Sequence, residues 1–152
     1  EVKPNLARIL TMMDASGSYT LSIAPRDMKA QMEALQNVTS CLSPGGSNFR
    51  YTKEYLRNPY TFWATIRGEQ GIVGRVTLFS GQDESGNPAI ARVSGVYSQV
   101  PINADKVDDI LNRYATETGA RVIKNGKLTV PGLKIAYDDF IGGLQGSTVT
   151  VR

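Results

Sequence analysis

The stretch from Thr61 to Tyr97 constrains this fold more than any other. Thr61-Phe-Trp-Ala-Thr-Ile66 and Ile72 to Ser80 are rich in β-branched and aromatic residues, and the turn Gly68 to Gly71 separates them. A second polar turn, Asp83-Glu-Ser-Gly-Asn-Pro88, leads into Ala89 to Tyr97, with Ile90, Val93 and Val96 among its apolar positions. Three consecutive strands joined by short turns predict an antiparallel meander over residues 61–97. Phe62 and Trp63 are neighbours on the first strand, so they face opposite ways and each side needs its own cover.

The flanks are expected to supply that cover. Leu6, Ile9, Leu10 and Met13 lie at helical spacing behind Pro4, predicting a short docking helix over 4–13 that Asp14 to Ser18 breaks. Tyr19, Leu21 and Ile23 alternate with Thr20 and Ser22 as a half-buried strand. Pro25 opens a second helix with Asp27 near its positive end, and Met28, Met32, Leu35 and Val38 form an apolar stripe read as a core face. Thr52 to Arg57 predicts one or two helical turns closed by Asn58-Pro59. Beyond the meander, Asn103 is an N-cap candidate, and Val107, Ile110, Leu111 and Tyr114 make a stripe ending at Gly119. Residues 120–124, 128–130, 134–137 and 147–151 are further strand candidates. A chain of 152 residues without repeats or linkers then makes one α+β domain, a mixed and mostly antiparallel sheet with helices on both faces.

Composition excludes more chemistry than it suggests. Without histidine there is no Ser-His-Asp or Cys-His nucleophile, no His-containing zinc site and no His-ligated haem. The single cysteine, Cys41, excludes an intrachain disulfide, suits a reducing, intracellular compartment, and reads as structural because no histidine can generate its thiolate. No stretch approaches the ~20 apolar residues of a membrane helix, and Lys3, Asn5 and Arg8 interrupt the first apolar run too often for a signal peptide. The start at Glu1 without methionine is expected of a piece of a larger protein. Net charge is only +3, spread along the chain, so a pI of 9.1 is a weak pointer to nucleic acid. Locally, every charge between Thr118 and Tyr137 is positive: Arg121, Lys124, Lys127 and Lys134. That run is a candidate anion-binding face; the plainer reading is a solvated strand pair.

Several phrases resemble the GNAT superfamily of acetyl-CoA-dependent N-acyltransferases. Tyr19-Thr-Leu-Ser-Ile-Ala-Pro-Arg-Asp-Met28 is similar to its opening strand and first helix. Phe62-Trp-Ala-Thr-Ile66 and Gly71-Ile-Val-Gly-Arg-Val-Thr-Leu78 resemble its second and third strands, and Ala91-Arg-Val-Ser-Gly-Val-Tyr97 its fourth. Ala104 to Thr118 then corresponds to its third helix and Arg121-Val-Ile123 to its fifth strand, so the likeness covers residues 19–125. The resemblance implies acyl transfer, with acetyl-CoA pyrophosphate held by a glycine-rich loop at the N-terminus of the third helix. Gln99, Asn103 and Lys106 occupy that place here. It also implies a tyrosine that protonates the leaving thiolate, for which Tyr97 and Tyr137 are the candidate catalytic acids.

The loop itself departs from the pattern. Ser98-Gln-Val-Pro-Ile-Asn-Ala-Asp-Lys106 has no glycine, Pro101 lacks a donor, and Asp105 places a negative charge where phosphate belongs. The residues therefore predict weak or absent acetyl-CoA binding. Elsewhere, Ser43-Pro-Gly-Gly-Ser-Asn-Phe-Arg-Tyr51 groups Ser43, Gly45, Gly46 and Arg50 as a candidate substrate or anion cradle, though it lacks the Gly-Lys-Ser/Thr ending of a P-loop. Glu69 and Glu84 are turn glutamates that serve as bases only by loose analogy. Asp138-Asp139 is a carboxylate pair without further metal-ligand spacing, read as a charged cap, and Gly143-Leu-Gln-Gly146 lacks the flanking helices of a KH clamp. Arg67, Arg75 and Arg92, if aligned with Tyr97, would suit single-stranded nucleic acid. Three readings stand: a GNAT-like domain degenerate in acetyl-CoA binding and acting as an interaction module of a larger protein, an active N-acyltransferase with an altered loop, or a viral or phage structural or nucleic-acid-binding domain.

Overall fold

The computed structural model describes residues 8–14, 17–25, 27–37, 46 and 49–152. Among these, ten strands join into one sheet with three helices, an α+β arrangement whose pairings are antiparallel except one. In chain order the elements are β1 (Arg8–Asp14), β2 (Gly17–Ile23), α1 (Met28–Asn37), α2 (Phe49–Arg57), β3 (Thr61–Gly68), β4 (Gly71–Gln82), β5 (Pro88–Arg92), β6 (Tyr97–Ser98), α3 (Ala104–Glu117), β7 (Arg121–Val122), β8 (Gly126–Thr129), β9 (Ile141–Gln145) and β10 (Thr148–Val151).

The expected meander is present. β3 pairs with β4 from Thr61↔Phe79 to Gly68↔Gly71, and β4 with β5 from Leu78↔Arg92 to Gln82↔Pro88. Asp83 organises the second turn, where its Oδ1 accepts from the backbone N–H of Ser85 and Asn87, both at 2.9 Å. The third strand is shorter than its sequence suggests. β5 ends at Arg92, and the chain rejoins β4 only at Arg75↔Tyr97. Residues 93–96 thus oppose only Val76 and Thr77, a bulge at which Val93 N–H still donates to Thr77 O at 3.0 Å.

Successive residues of β3 enter different hydrophobic clusters. Phe62, Ala64 and Ile66 join Val76 and Leu78 of β4 and the buried stripe of α3, Val107, Ile110, Leu111 and Tyr114. Trp63 joins Phe79, Ala34 and Leu35 of α1, Tyr55 of α2, and Val130 and Val149. Each buried aliphatic side chain contributes ~1.5–3 kcal/mol, so the four-residue stripe of α3 is enough to dock a helix that is marginal alone.

Three expectations are corrected. Residues 8–14 are not helical: β1 pairs with β2 over seven positions, from Arg8↔Ile23 to Asp14↔Gly17, and residues 4–7 lie outside the described chain. Apolar residues at 9, 10 and 13 fit a strand as well as a helix, and an adjacent partner across a short connection decides for the strand. Lys134 to Tyr137 joins no ladder, because the Tyr55 hydroxyl takes both main-chain groups of Tyr137. Met28 is 53% exposed rather than core; Met32 is half-buried, Leu35 is buried, and Val38 lies outside the described residues. Gly143-Leu-Gln-Gly146, already set aside as a KH clamp, belongs to the β9–β10 hairpin, in which Gln145 faces Thr148 and Gly146 takes φ +63° in the two-residue turn.

β5 and β7 form the parallel pair, through Ala89↔Arg121 and Ile90↔Val122, with α3 in the crossover. The C-terminal strands β8, β10 and β9 join the rest of the sheet at Gln82↔Thr129. Gly81 permits this: a Cβ there would lie 1.9 Å from Thr129 O. No helix among the described residues is long and apolar enough to cross a membrane.

Candidate functional site

The expected cofactor position is the N-terminus of α3. Asn103 is the N-cap, and its side-chain oxygen accepts from Asp105 N–H at 2.9 Å. The amide that an incoming phosphate would use is already satisfied, and the Asp105 carboxylate adds like charge in the first turn. Gln99 N–H donates to Val73 O at 2.8 Å, which ties the preceding loop to β4, and Lys106 is exposed. Gln99, Asn103 and Lys106 are close in the chain but form no cradle.

Open sheets hold ligands in the crevice beyond the carboxyl ends of their parallel strands. Here that crevice, beyond β5 and β7, has a volume of 160 Å³ between Arg92, Asp108, Val122, Ile123, Lys124, Phe140 and Arg152. Ligand pockets are typically several times larger. Its lining side chains are committed to one another. Arg92 donates to both carboxylate oxygens of Asp108 at 2.7 and 3.1 Å, each side chain being 13% exposed, and its guanidinium lies 5.0 Å from the Phe140 ring centre. Phe140 N–H donates to Val93 O at 3.0 Å and Arg152 N–H to Phe140 O at 2.9 Å, so the chain packs on itself just past the end of β5.

The bulge at 93–96 adjoins a buried polar cluster. Ser94 Oγ accepts from Thr77 N–H at 3.0 Å and donates to Gly95 O at 2.8 Å. Tyr97 OH donates to Asp139 Oδ2 at 2.7 Å, and the Arg75 guanidinium lies 5.7 Å from the Tyr97 ring centre. Arg75 is fully buried and donates to Ala34 O of α1 at 2.9 Å. Asp138 and Asp139 diverge. Asp139 turns to Tyr97, whereas Asp138 turns inward beside Thr77, and its Oδ2 and Thr77 Oγ1 are buried without hydrogen-bond partners. Burial pushes the Asp138 carboxyl up to about 7; a bond from the Asp139 amide, the neighbouring Thr77 hydroxyl and the Arg75 charge pull the other way but do not cancel it. A proton on Oδ2 can donate to Thr77 Oγ1 and satisfy both atoms, so burial biases Asp138 toward its protonated form.

Tyr137 lies at the far end of the same segment. Its backbone N–H donates to Tyr55 OH at 2.7 Å, and Tyr55 OH donates to its carbonyl at 2.6 Å. Burial raises the Tyr55 hydroxyl well above the usual tyrosine range, so it stays protonated as that donor. The Tyr137 ring stacks on Tyr51, centres 5.1 Å apart and planes 24° apart. Arg50 caps Tyr51, with its guanidinium 4.9 Å from the ring centre and Nη2 donating to Tyr51 OH at 3.1 Å.

The segment 137–139 thus brings the Tyr97 and Tyr137 environments to one side of the bulge, and Tyr51 links Arg50 to Tyr137. Both tyrosines are engaged in structure: Tyr97 is held by Asp139 and Tyr137 by Tyr55 and Tyr51. Of the expected glycine-serine cradle, Gly46 is half-buried, while Ser43 and Gly45, like Cys41, lie outside the described residues. The basic run is not uncompensated, since Arg121 Nε donates to Asp83 Oδ2 at 2.8 Å and holds that carboxyl below its ordinary value; Lys124 and Lys127 are exposed. Nor do the three arginines align: Arg67 pairs with Glu33 of α1, Arg92 with Asp108 of α3, and Arg75 is buried beneath α1. Sequence reasoning missed Tyr51, Tyr55, Thr77 and the burial of Arg75. The Tyr51/Tyr55 spacing of one helical turn was the available signal for the first two. No family model matches the sequence, and neither a curated protein nor a solved structure gives a significant match.

Proposed function

We propose that this domain is a binding module on a GNAT-like scaffold, with helices on both sides of its sheet, that does not use acetyl-CoA. The observation carrying this reading is the N-terminus of α3, where Asn103 caps Asp105 N–H at 2.9 Å and the Asp105 carboxylate stands in the first turn. A pyrophosphate there must displace a formed cap and approach a fixed negative charge. The 160 Å³ crevice beyond β5 and β7 supports the same reading, because a bulky cofactor has to break the Arg92–Asp108 pair and lift Phe140 off Val93. Tyr97 as the acid of an acyl transfer is disfavoured on the same grounds, since its hydroxyl is committed to Asp139.

Titration with acetyl-CoA tests this, by calorimetry and by thermal shift. A ligand at 100 times its Kd adds ~2.7 kcal/mol to stability, which for a chain of this size moves Tm by several degrees. The expected result is a flat titration in both. Micromolar affinity overturns the reading and restores the acyltransferase.

A further inference from the structure

We infer that the surface formed by α2 and residues 131–137 binds single-stranded nucleic acid, with the Tyr137 ring as a base-stacking platform and Arg50, Arg57 and Lys134 facing the phosphates. This rests on reading the domain as a binding module. The platform is built before any ligand arrives. Arg50, Tyr51 and Tyr137 form a continuous ladder of cation and two rings, yet Tyr137 remains 43% exposed and its neighbour Ile135 39% exposed. Two ties hold the segment against α2: Tyr55 OH bonds both main-chain groups of Tyr137, and Asn58 Nδ2 donates to Pro131 O at 2.9 Å. Between the ties and the tip of α2 runs an open groove of 620 Å³, lined among others by Arg57, Tyr60, Lys134 and Ile135. Glu54, the acid lining that groove, is paired with Arg57 at 3.0 Å, which leaves the surface positive on balance.

An exposed tyrosine already stacked on a second ring has lost little freedom left to lose, so a base stacking on it does so at low entropic cost. A cation at Arg50, in the ladder, and others at Arg57 and Lys134, along the groove, suit a backbone that passes over the ring. A run of acidic residues also satisfies the cations, but its side chains offer no flat face to stack on the Tyr137 ring; the aromatic component favours nucleic acid.

The test is fluorescence anisotropy of the whole chain with labelled oligo-dT and a mixed-sequence RNA strand, at two salt concentrations. Tyr137→Ala is expected to weaken binding about 5- to 100-fold, the contribution of one stacked base. Tyr137→Leu keeps bulk at the site while removing the ring, and with unchanged thermal stability it should weaken binding similarly. Arg50→Glu with Lys134→Glu should flatten the slope of log K against log salt by about 1.4, the loss of two phosphate contacts on a single strand. Lys124→Glu with Lys127→Glu, away from the ladder, should change little. The proposal is overturned if neither strand binds, if both Tyr137 variants bind as the parent does, or if the Lys124/Lys127 pair matters as much as Arg50 and Lys134. Binding of a poly-glutamate peptide in place of either strand overturns the nucleic-acid partner and leaves the binding-module reading intact; acetyl-CoA binding removes that reading.

Discussion

Replacing Asp138 with asparagine should stabilise the protein at alkaline pH and leave it nearly unchanged in acid. The carboxyl of Asp138 is raised from 3.8 to about 7 in the folded state, chiefly by burial. Between those values the folded state holds a proton that the unfolded state has released, so stability falls as pH rises through this window and is level above it. At ~1.36 kcal/mol per pH unit the full span is worth ~4 kcal/mol; relaxation of a carboxyl that is only partly covered brings the expected loss to ~1–3 kcal/mol. Asparagine is nearly isosteric. Its oxygen can accept from Asp139 N–H as Asp138 Oδ1 does at 3.0 Å, and its amide can donate to the otherwise unpartnered Thr77 Oγ1. Urea unfolding of both proteins at pH 4.5 and pH 8 measures the difference of differences, in which Asp139, Arg75 and all other shared groups cancel. Asp138→Asn should exceed the parent by ~1–3 kcal/mol at pH 8 and match it at pH 4.5. An equal offset at both pH values, or a variant weaker than the parent at pH 8, refutes the buried neutral acid.

Asn103→Ala removes the cap of α3 and should cost ~1 kcal/mol, lowering Tm by ~2–4 °C in a thermal melt. Gly81→Ala places a Cβ against the Thr129 backbone, so β8 must separate from β4; amide exchange at Thr129 and its neighbours should accelerate far more than at Val76 or Leu78. Arg92→Met leaves the Asp108 carboxylate partly buried without its cation and should cost ~3 kcal/mol in urea unfolding, much of it recovered when Asp108→Asn is added.

The parts of this fold legible in the sequence are those fixed by local chemistry. Gly68 to Gly71 and Asp83 to Pro88 announce the turns of the meander within a few residues, and Asn103 and Gly119 bracket α3. What could not be read depends on partners distant in the chain. Residues 8–14 carry apolar positions that suit either period, and only pairing with β2 chooses. Arg75 and Thr77 fall on the polar side of an alternating strand, which reads as solvent until α1 and Asp138 cover it. Lys134 to Tyr137 has strand composition, but a hydroxyl 82 residues earlier takes its backbone bonds. At the candidate sites the failure of the cofactor loop was legible from Pro101, Asp105 and the missing glycines, whereas the Arg50–Tyr51–Tyr137 ladder needed tertiary structure.

Phe140 lying against Val93, with Arg152 against Phe140, also bears on how this sheet resists the addition of a second chain. A strand edge with unmet N–H and C=O groups is a template on which a second chain can add, and β7 pairs with β5 only at Ala89 and Ile90, short of its end. Beyond β7 the chain covers that end with Phe140 alone, held to Val93 O and against the Arg92 guanidinium. Such a cover is short, and partial unfolding of the C-terminal hairpin would lift it without disturbing the meander. Aggregation of a destabilised variant should therefore begin where β7 stops, at the C-terminal end of β5.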